Sequence, residues 1–351
     1  MKKMCCVFPL LLIIISALCA LTGCGSTSGT LPQAREMGDM ALLRTMGVDL
    51  GENGLLAVTV STGGEEAMVL SAEQPSLSAA CLAMQGQSDK YVFFGYVDQL
   101  LLGEELAKLG IDGVLRYFAQ DVELGLNTRL WVVQDAGAGE AMEDGQKTDS
   151  RLETLRADSL MGVALTTRTA GEILSDLLEE GSAYAPALDS GLREAGYAVF
   201  KNGKLKGILD RELSRGLELL AGETTADVLQ FDTGGGNAVV RLSGIKSSVS
   251  LDGDRLHIRC TVQANLAESA RTLEPDELDG LCRQLEQRER ERIEQTLTQL
   301  QAWNVDCVGL CRRTGLKRPS QWAEQKQNWD TIFPGLAADI QVHAKIEGGV
   351  L

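Results

Sequence analysis

Cys24 closes the run Leu21-Thr22-Gly23-Cys24, a thiol preceded by one aliphatic and two small residues. Sulfur is a strong nucleophile as its thiolate, and small neighbours leave the backbone open to a processing enzyme. The chemistry this pattern suits is transfer of a diacylglyceryl group to the sulfur, followed by cleavage before the cysteine. The other residues that could do chemistry give a different answer. A serine or cysteine nucleophile needs a base within hydrogen-bonding reach, and the chain has only two histidines, His257 and His343. In "RLHIRCTV", Leu256, Ile258, Cys260 and Val262 share one face, which leaves His257 outward with Arg259 and Thr261. In "DIQVHAKIE", Ile340, Val342, Ala344 and Ile346 point inward and His343 lies with Gln341 and Lys345. Cys307 and Cys311 have a helical spacing, but no histidine is close in sequence and a fourfold ligand set is missing. "DTGGGNA" (232–238) lacks the GK[ST] ending of a phosphate loop and reads as a connection between strands. Glu104 and Glu105 begin a helix, where negative charge meets the positive end of the dipole. No catalytic, cofactor-binding or metal-binding residue is expected.

Lys2 and Lys3 precede an apolar run from Val7 to Leu21, the charged and hydrophobic parts of an export signal. The run is shorter than the roughly 20 residues needed to cross a bilayer. With Cys24 at its end, "LTGC" matches the lipobox of bacterial lipoproteins, and Cys24 is the expected lipid-attachment site. One acyl chain holds only marginally and two hold stably. The following "GSTSGT" (25–30) has no large apolar residue and reads as a tether. After Cys24, the remaining Cys81, Cys260, Cys282, Cys307 and Cys311 are odd in number, so no complete disulfide framework is expected.

The body that this anchor would carry is ordinary for a folded protein, with 44% hydrophobic and 23% charged residues. A net charge of -16 argues against a nucleic-acid partner, which demands a basic face, and against electrostatic attraction to anionic lipid. Strands are expected over 55–62, 91–103 and 128–135, with helices over 76–84, 104–121 and 170–181. Residues 136–158 read as an exposed connection. Asn202-Gly203 marks a tight hairpin within 196–210, and Asp252-Gly253 marks a second within 237–266. A long helix is expected from Glu274 to Trp303, with Leu281, Leu285, Ile293, Leu297 and Leu300 inward and "EQRERERIEQ" (286–295) as its solvated face. A last strand covers 336–347. The elements mix without strict βαβ repetition, so the expected fold class is α+β, with two or three domains on mixed, largely antiparallel sheets and packed helices.

Several ordered segments resemble the Ger(x)C family of spore germination lipoproteins, the GerAC-type C subunits of nutrient germinant receptors. They are "REMGDMALLRTMGVDLGENGLLAVTV" (35–60), "YVFFGYVDQLLLGEELAKLGIDGVLRYFAQDVELGLNTRLWVV" (91–133), "AVFKNGKLKGILDRELSRGLELLAG" (198–222) and the stretch from Val305 to the end. The resemblance implies a signal peptide over 1–23, a lipidated cysteine and tether over 24–34, and germination-protein domains over 35–190 and 191–351. It implies a palmitate-bearing lipoprotein on the outer surface of the spore inner membrane, coupling nutrient sensing to germination. Its partners would be an integral membrane subunit and a second receptor subunit, with no cofactor and no enzymatic activity. Only Cys24 carries over as a functional residue. Many relatives place Trp-Asp directly after that cysteine, whereas Gly25 and Ser26 follow it here. The alternative function is a lipid-anchored extracytoplasmic solute-binding protein, which would show two lobes of repeated βαβ units.

Overall fold

The computed structural model describes residues 36–223, 227–233, 236–316 and 319–348. The export signal, Cys24 and the tether lie outside the described residues. Residues 41–351 form one compact unit, organised around two sheets.

In the first sheet, Asn202 and Gly203 adopt φ of 51° and 72°. They close the hairpin between Glu194–Lys201 and Lys204–Leu209 as the Asn-Gly pair demands. The sheet has nine strands: β1 (Thr45–Leu50), β2 (Leu56–Ser61), β3 (Val69–Gln74), β4 (Gln99–Gly103), β5 (Arg129–Val133), β6 (Arg168–Thr169), β7 (Ser182–Leu188), β8 (Glu194–Lys201) and β9 (Lys204–Leu209). The order is β9-β8-β7-β5-β4-β1-β2-β3, with β6 beside β5. Its centre is parallel, β7 on β5, β5 on β4 and β4 on β1, while both flanks are antiparallel. Strands β4 and β7 are buried along their whole length, as expected of parallel strands covered on both faces. One face packs Leu100, Leu102, Leu130 and Val132 under α1 (Leu77–Gln85), α2 (Glu104–Leu109) and α3 (Asp112–Gln120). The other packs Leu101, Trp131, Val133 and Leu188 against Leu152 and Leu155 of α4 (Gly145–Leu160).

The second sheet runs β10 (Val228–Asp232), β11 (Asn237–Asp252), β12 (Arg255–Ser269) and β13 (Ala337–Glu347). The first three are antiparallel and β13 lies parallel to β12. Helix α5 (Ala170–Glu180) joins β6 to β7, α6 (Arg211–Ala221) comes between the sheets in sequence, and after β12 come α7 (Pro275–Trp303), α8 (Leu310–Gly315) and α9 (Pro319–Ile332). Helix α7 buries Leu281, Leu285, Ile293, Leu297 and Leu300 in the core of this half.

The fold is α+β on mixed sheets with packed helices, but four local expectations need correction. Residues 91–103 are not one strand: a 3-10 turn at Phe94–Tyr96 interrupts them, pinned where Glu123 accepts hydrogen bonds from the Phe94 N–H and the Tyr91 hydroxyl. Residues 104–121 form two helices, broken where Gly110 takes φ of 145° and Ile111 N–H bonds Gly203 O of the hairpin. Residues 136–158 are largely helical. Asp144 caps α4 by accepting from Lys147 N at 3.0 Å, and Thr148, Leu152 and Leu155 form its buried stripe. Lastly, Glu289 and Arg292 within 286–295 are buried rather than solvated. The expected junction at 190/191 falls in the turn between β7 and β8 of a single sheet. Among the described residues, no helix is long and apolar enough to cross a membrane.

Candidate functional site

Helices α6 and α7 approach closely because position 216 has no side chain. A Cβ on Gly216 would lie 2.2 Å from Thr296 Oγ1 and 2.5 Å from Arg292 O. Thr296 Oγ1 bridges the gap by donating to Leu213 O at 2.8 Å. Beside this crossing, Arg292 is 5% exposed and gathers three carboxylates. Its Nε donates to Glu212 Oε2 at 2.9 Å, and its Nη1 to Asp227 Oδ2 at 2.7 Å and Glu289 Oε1 at 3.1 Å. Arg288 adds a second cation on Glu212. Burial pushes the Glu289 carboxyl up to about 7, against the pull of Arg292 and with the neighbouring Asp227 charge adding to the rise. The hydrogen bonds from Arg292 hold Glu212 below the usual carboxylate range.

A second buried network ties the first sheet to helix α6 and to the segment after α7. Glu218 of α6 has no exposed side-chain surface; it accepts from Arg215 at 2.7 Å, from the Tyr197 hydroxyl at 2.7 Å and from Thr166 N at 3.1 Å. Burial nonetheless raises its pKa. Arg168 sits 4.3 Å from the Tyr184 ring centroid and pairs with Asp176 at 2.8 Å. Asp306, buried, accepts from Leu310 N at 2.8 Å and Cys311 N at 2.7 Å, and so starts α8. Ser182 Oγ of β7 donates to Asp306 O, and Lys201 of β8 reaches Asn304 O and Asp330. A cleft of about 360 Å³ opens here, lined among others by Glu180, Lys201, Asn304, Asp306, Lys326 and Trp329. Lys201 bridges Asn304 O and Asp330 across it, which holds β8 to the segment after α7. A larger, apolar groove of about 600 Å³ lies between α1 and α3, with Leu56, Leu77, Leu106, Leu109 and Tyr117 on its walls.

Of the residues considered from sequence, Cys24 lies outside the described residues. His257 Nδ1 stands 3.1 Å from Asp339 Oδ2, its partner in the parallel β12/β13 register, and His343 is exposed. Cys307 and Cys311 do not share a helix as their spacing suggested: Cys307 precedes α8 and Cys311 lies in its first turn. The five described cysteines are free. Burial pushes Cys81 up to about 11 and Cys260 and Cys311 up to about 12, with Cys307 raised as well, so these thiols stay protonated at neutral pH. Among the described residues, no cluster of three or more His, Cys, Asp or Glu is arranged to hold a metal ion. Glu104, in the first turn of α2, accepts from Asp135 N at 2.7 Å and pairs with Lys108. Sequence reasoning missed the Arg292 and Glu218 networks. The available signal was the position of Glu289 and Arg292 on the Leu285–Ile293–Thr296 side of α7, which the density of charge obscured.

The architecture is thus a mixed, parallel-centred sheet followed by a four-stranded sheet under one long helix. Residues 33–190 match the spore germination protein N-terminal domain, and residues 195–349 match the family described as spore germination B3/GerAC like, C-terminal. Together the matches span nearly the whole described chain, and the chain belongs to this family. Its fold is shared by the crystal structure of the GerBC protein, with a TM-score of 0.62 and 17% identity over 86% of this chain and 97% of that one. No curated protein sequence matches the chain.

Proposed function

We propose that this protein is the lipid-anchored subunit of a spore germinant receptor and couples nutrient sensing to germination through protein-protein assembly rather than catalysis. The observation that carries this reading is the pair of family matches over 33–190 and 195–349. The likeness to GerBC in fold supports it. Cys24, at the end of the lipobox, would bear the acyl chains that fix the body to the outer surface of the spore inner membrane. Domains over 35–190 and 191–351 would act as one scaffold, because hydrogen bonds such as Ser182 Oγ to Asp306 O and Thr166 N to Glu218 run between them. Its partners would be an integral membrane subunit and a second receptor subunit.

Affinity purification of the tagged protein from spore membranes of the strain that carries it tests this. Co-purification of a multi-span subunit and a second soluble-domain subunit, with loss of a nutrient response on deletion of the gene, is the expected result. Recovery of an ATPase and permease instead, with nutrient germination intact, would favour the solute-binding alternative.

A further inference from the structure

Helix α4 crosses beneath the first sheet and ends in an apolar knob. Leu160, Met161 and Val163 are 74%, 71% and 56% exposed, whereas Leu152 and Leu155 of the same helix are buried. The knob is held in shape. Val163 N and Ala164 N donate to Asp158 O at 2.9 and 3.3 Å, Gly162 N donates to Ser159 O at 2.9 Å, and Thr167 N donates to Ser159 Oγ at 2.9 Å. Gly162 takes φ of 70°, which lets the chain double back, and Ala164 and Leu165 then return to the core. Three large apolar side chains are thus presented to solvent by a fixed turn, and contiguous apolar exposure of this kind marks a contact surface.

The knob lies on the side where the chain enters the body. Residue 41 begins the compact unit, and Arg44, three residues on, has its Nε 3.9 Å from Asp149 Oδ1 of α4. From Asp149 to Leu160 the helix advances about 16 Å at 1.5 Å per residue. Just beyond the knob, Arg168 pairs with Leu130, and the first residues of the parallel strands, Thr45, Gln99 and Arg129, stand side by side. Knob and chain entry therefore share one edge of the sheet. The chain from Cys24 joins the compact unit at this edge, so an anchor at Cys24 holds the body by it.

We propose that the Leu160–Val163 turn is a bilayer-docking element that enters the lipid interface and orients the anchored body. The proposal rests on the reading of Cys24 as lipidated. A lipid surface suits the knob better than a protein partner does. Three side chains on a convex turn fall far short of the roughly 1,200 Å² of a specific interface, while a bilayer receives single apolar side chains without shape complementarity. The net charge of -16 supplies no polybasic attraction, so insertion is driven by the apolar side chains alone.

The test uses the full-length, processed and lipidated protein in phosphatidylcholine vesicles, with Met161→Trp as reporter read as a difference from the native emission. Vesicle flotation reports the anchor, and quenching by brominated acyl chains reports the knob. The expected result is flotation, with blue-shifted and quenched emission that persists when phosphatidylglycerol is added. Adding Leu160→Ser and Val163→Ser should abolish quenching while flotation continues. Flotation without quenching overturns the docking element and leaves the anchor reading standing. Failure to float overturns both. An unquenched indole that becomes shielded only on addition of the membrane subunit overturns the lipid assignment in favour of a protein contact.

Discussion

An Arg292→Met protein should lose about 3–5 kcal/mol of stability at pH 8. The guanidinium holds Glu212, Asp227 and Glu289 together. Without it, Glu289 with 0% and Asp227 with 14% side-chain exposure are left as carboxylates in a dry seam, and removing one member of a buried ion pair costs about 3–5 kcal/mol. Against a typical total of roughly 5–15 kcal/mol, that is a large shift in a urea midpoint followed by circular dichroism. The pH dependence supplies a second reading. Glu289 has a folded pKa of about 7 against an ordinary 4.5. The native state therefore holds its proton more tightly than the unfolded state, and this group's contribution is fully present below pH 4.5 and lost as pH rises through 7. The gap corresponds to about 3 kcal/mol at 1.36 kcal/mol per pH unit. Glu289→Gln should flatten stability between those limits, and Arg292→Met/Glu289→Gln should recover part of the single-variant loss. An Arg292→Met cost below about 1 kcal/mol at pH 8, the range of exposed pairs, would refute the buried-network reasoning.

The helix crossing at Gly216 should not tolerate a side chain: Gly216→Val pushes α6 from Thr296 and Arg292 O, with an expected loss of about 1–3 kcal/mol in thermal or urea unfolding. Asp306→Asn leaves one of the Leu310 and Cys311 N–H groups without its acceptor, so it should cost about 1–3 kcal/mol by the same measurement. Iodoacetamide at pH 8 should spare Cys260 and Cys307 in the native protein, which are 0% and 3% exposed, and label both in denaturant; mass spectrometry that finds Cys307 alkylated at a free-peptide rate would contradict its burial.

Period-two and turn signals made the strands and hairpins legible. Asn202-Gly203 fixed one hairpin, and the alternation around His257 placed Leu256, Ile258 and Cys260 inward as the structure has them. The parallel centre of the first sheet was not legible, because β4 was merged into one run over 91–103, β7 carried no strand signal of its own, and the connections between the strands mix several small helices. Helix α4 was missed because its buried stripe is made of Thr148, Leu152 and Leu155 amid charge and glycine, too thin to outweigh composition. The charge-dense face of α7 misled for a related reason: periodicity assigns Glu289 and Arg292 to the inner side, but composition argues for solvent, and only the partners on α6 and before β10 show that the charges are neutralised in place. Cys24 rests on local sequence and family likeness alone, since no tertiary contact is needed to position a residue that a peptidase reads as an extended segment.

Acylation of Cys24 tests the account most directly. Mass spectrometry of the N-terminal peptide from spore membranes should show a mature chain beginning at Cys24 and carrying diacylglycerol, and Cys24→Ala should move the protein to the soluble fraction and impair nutrient germination. An unmodified Cys24, with the Cys24→Ala protein still membrane-bound and germination unaffected, would contradict it.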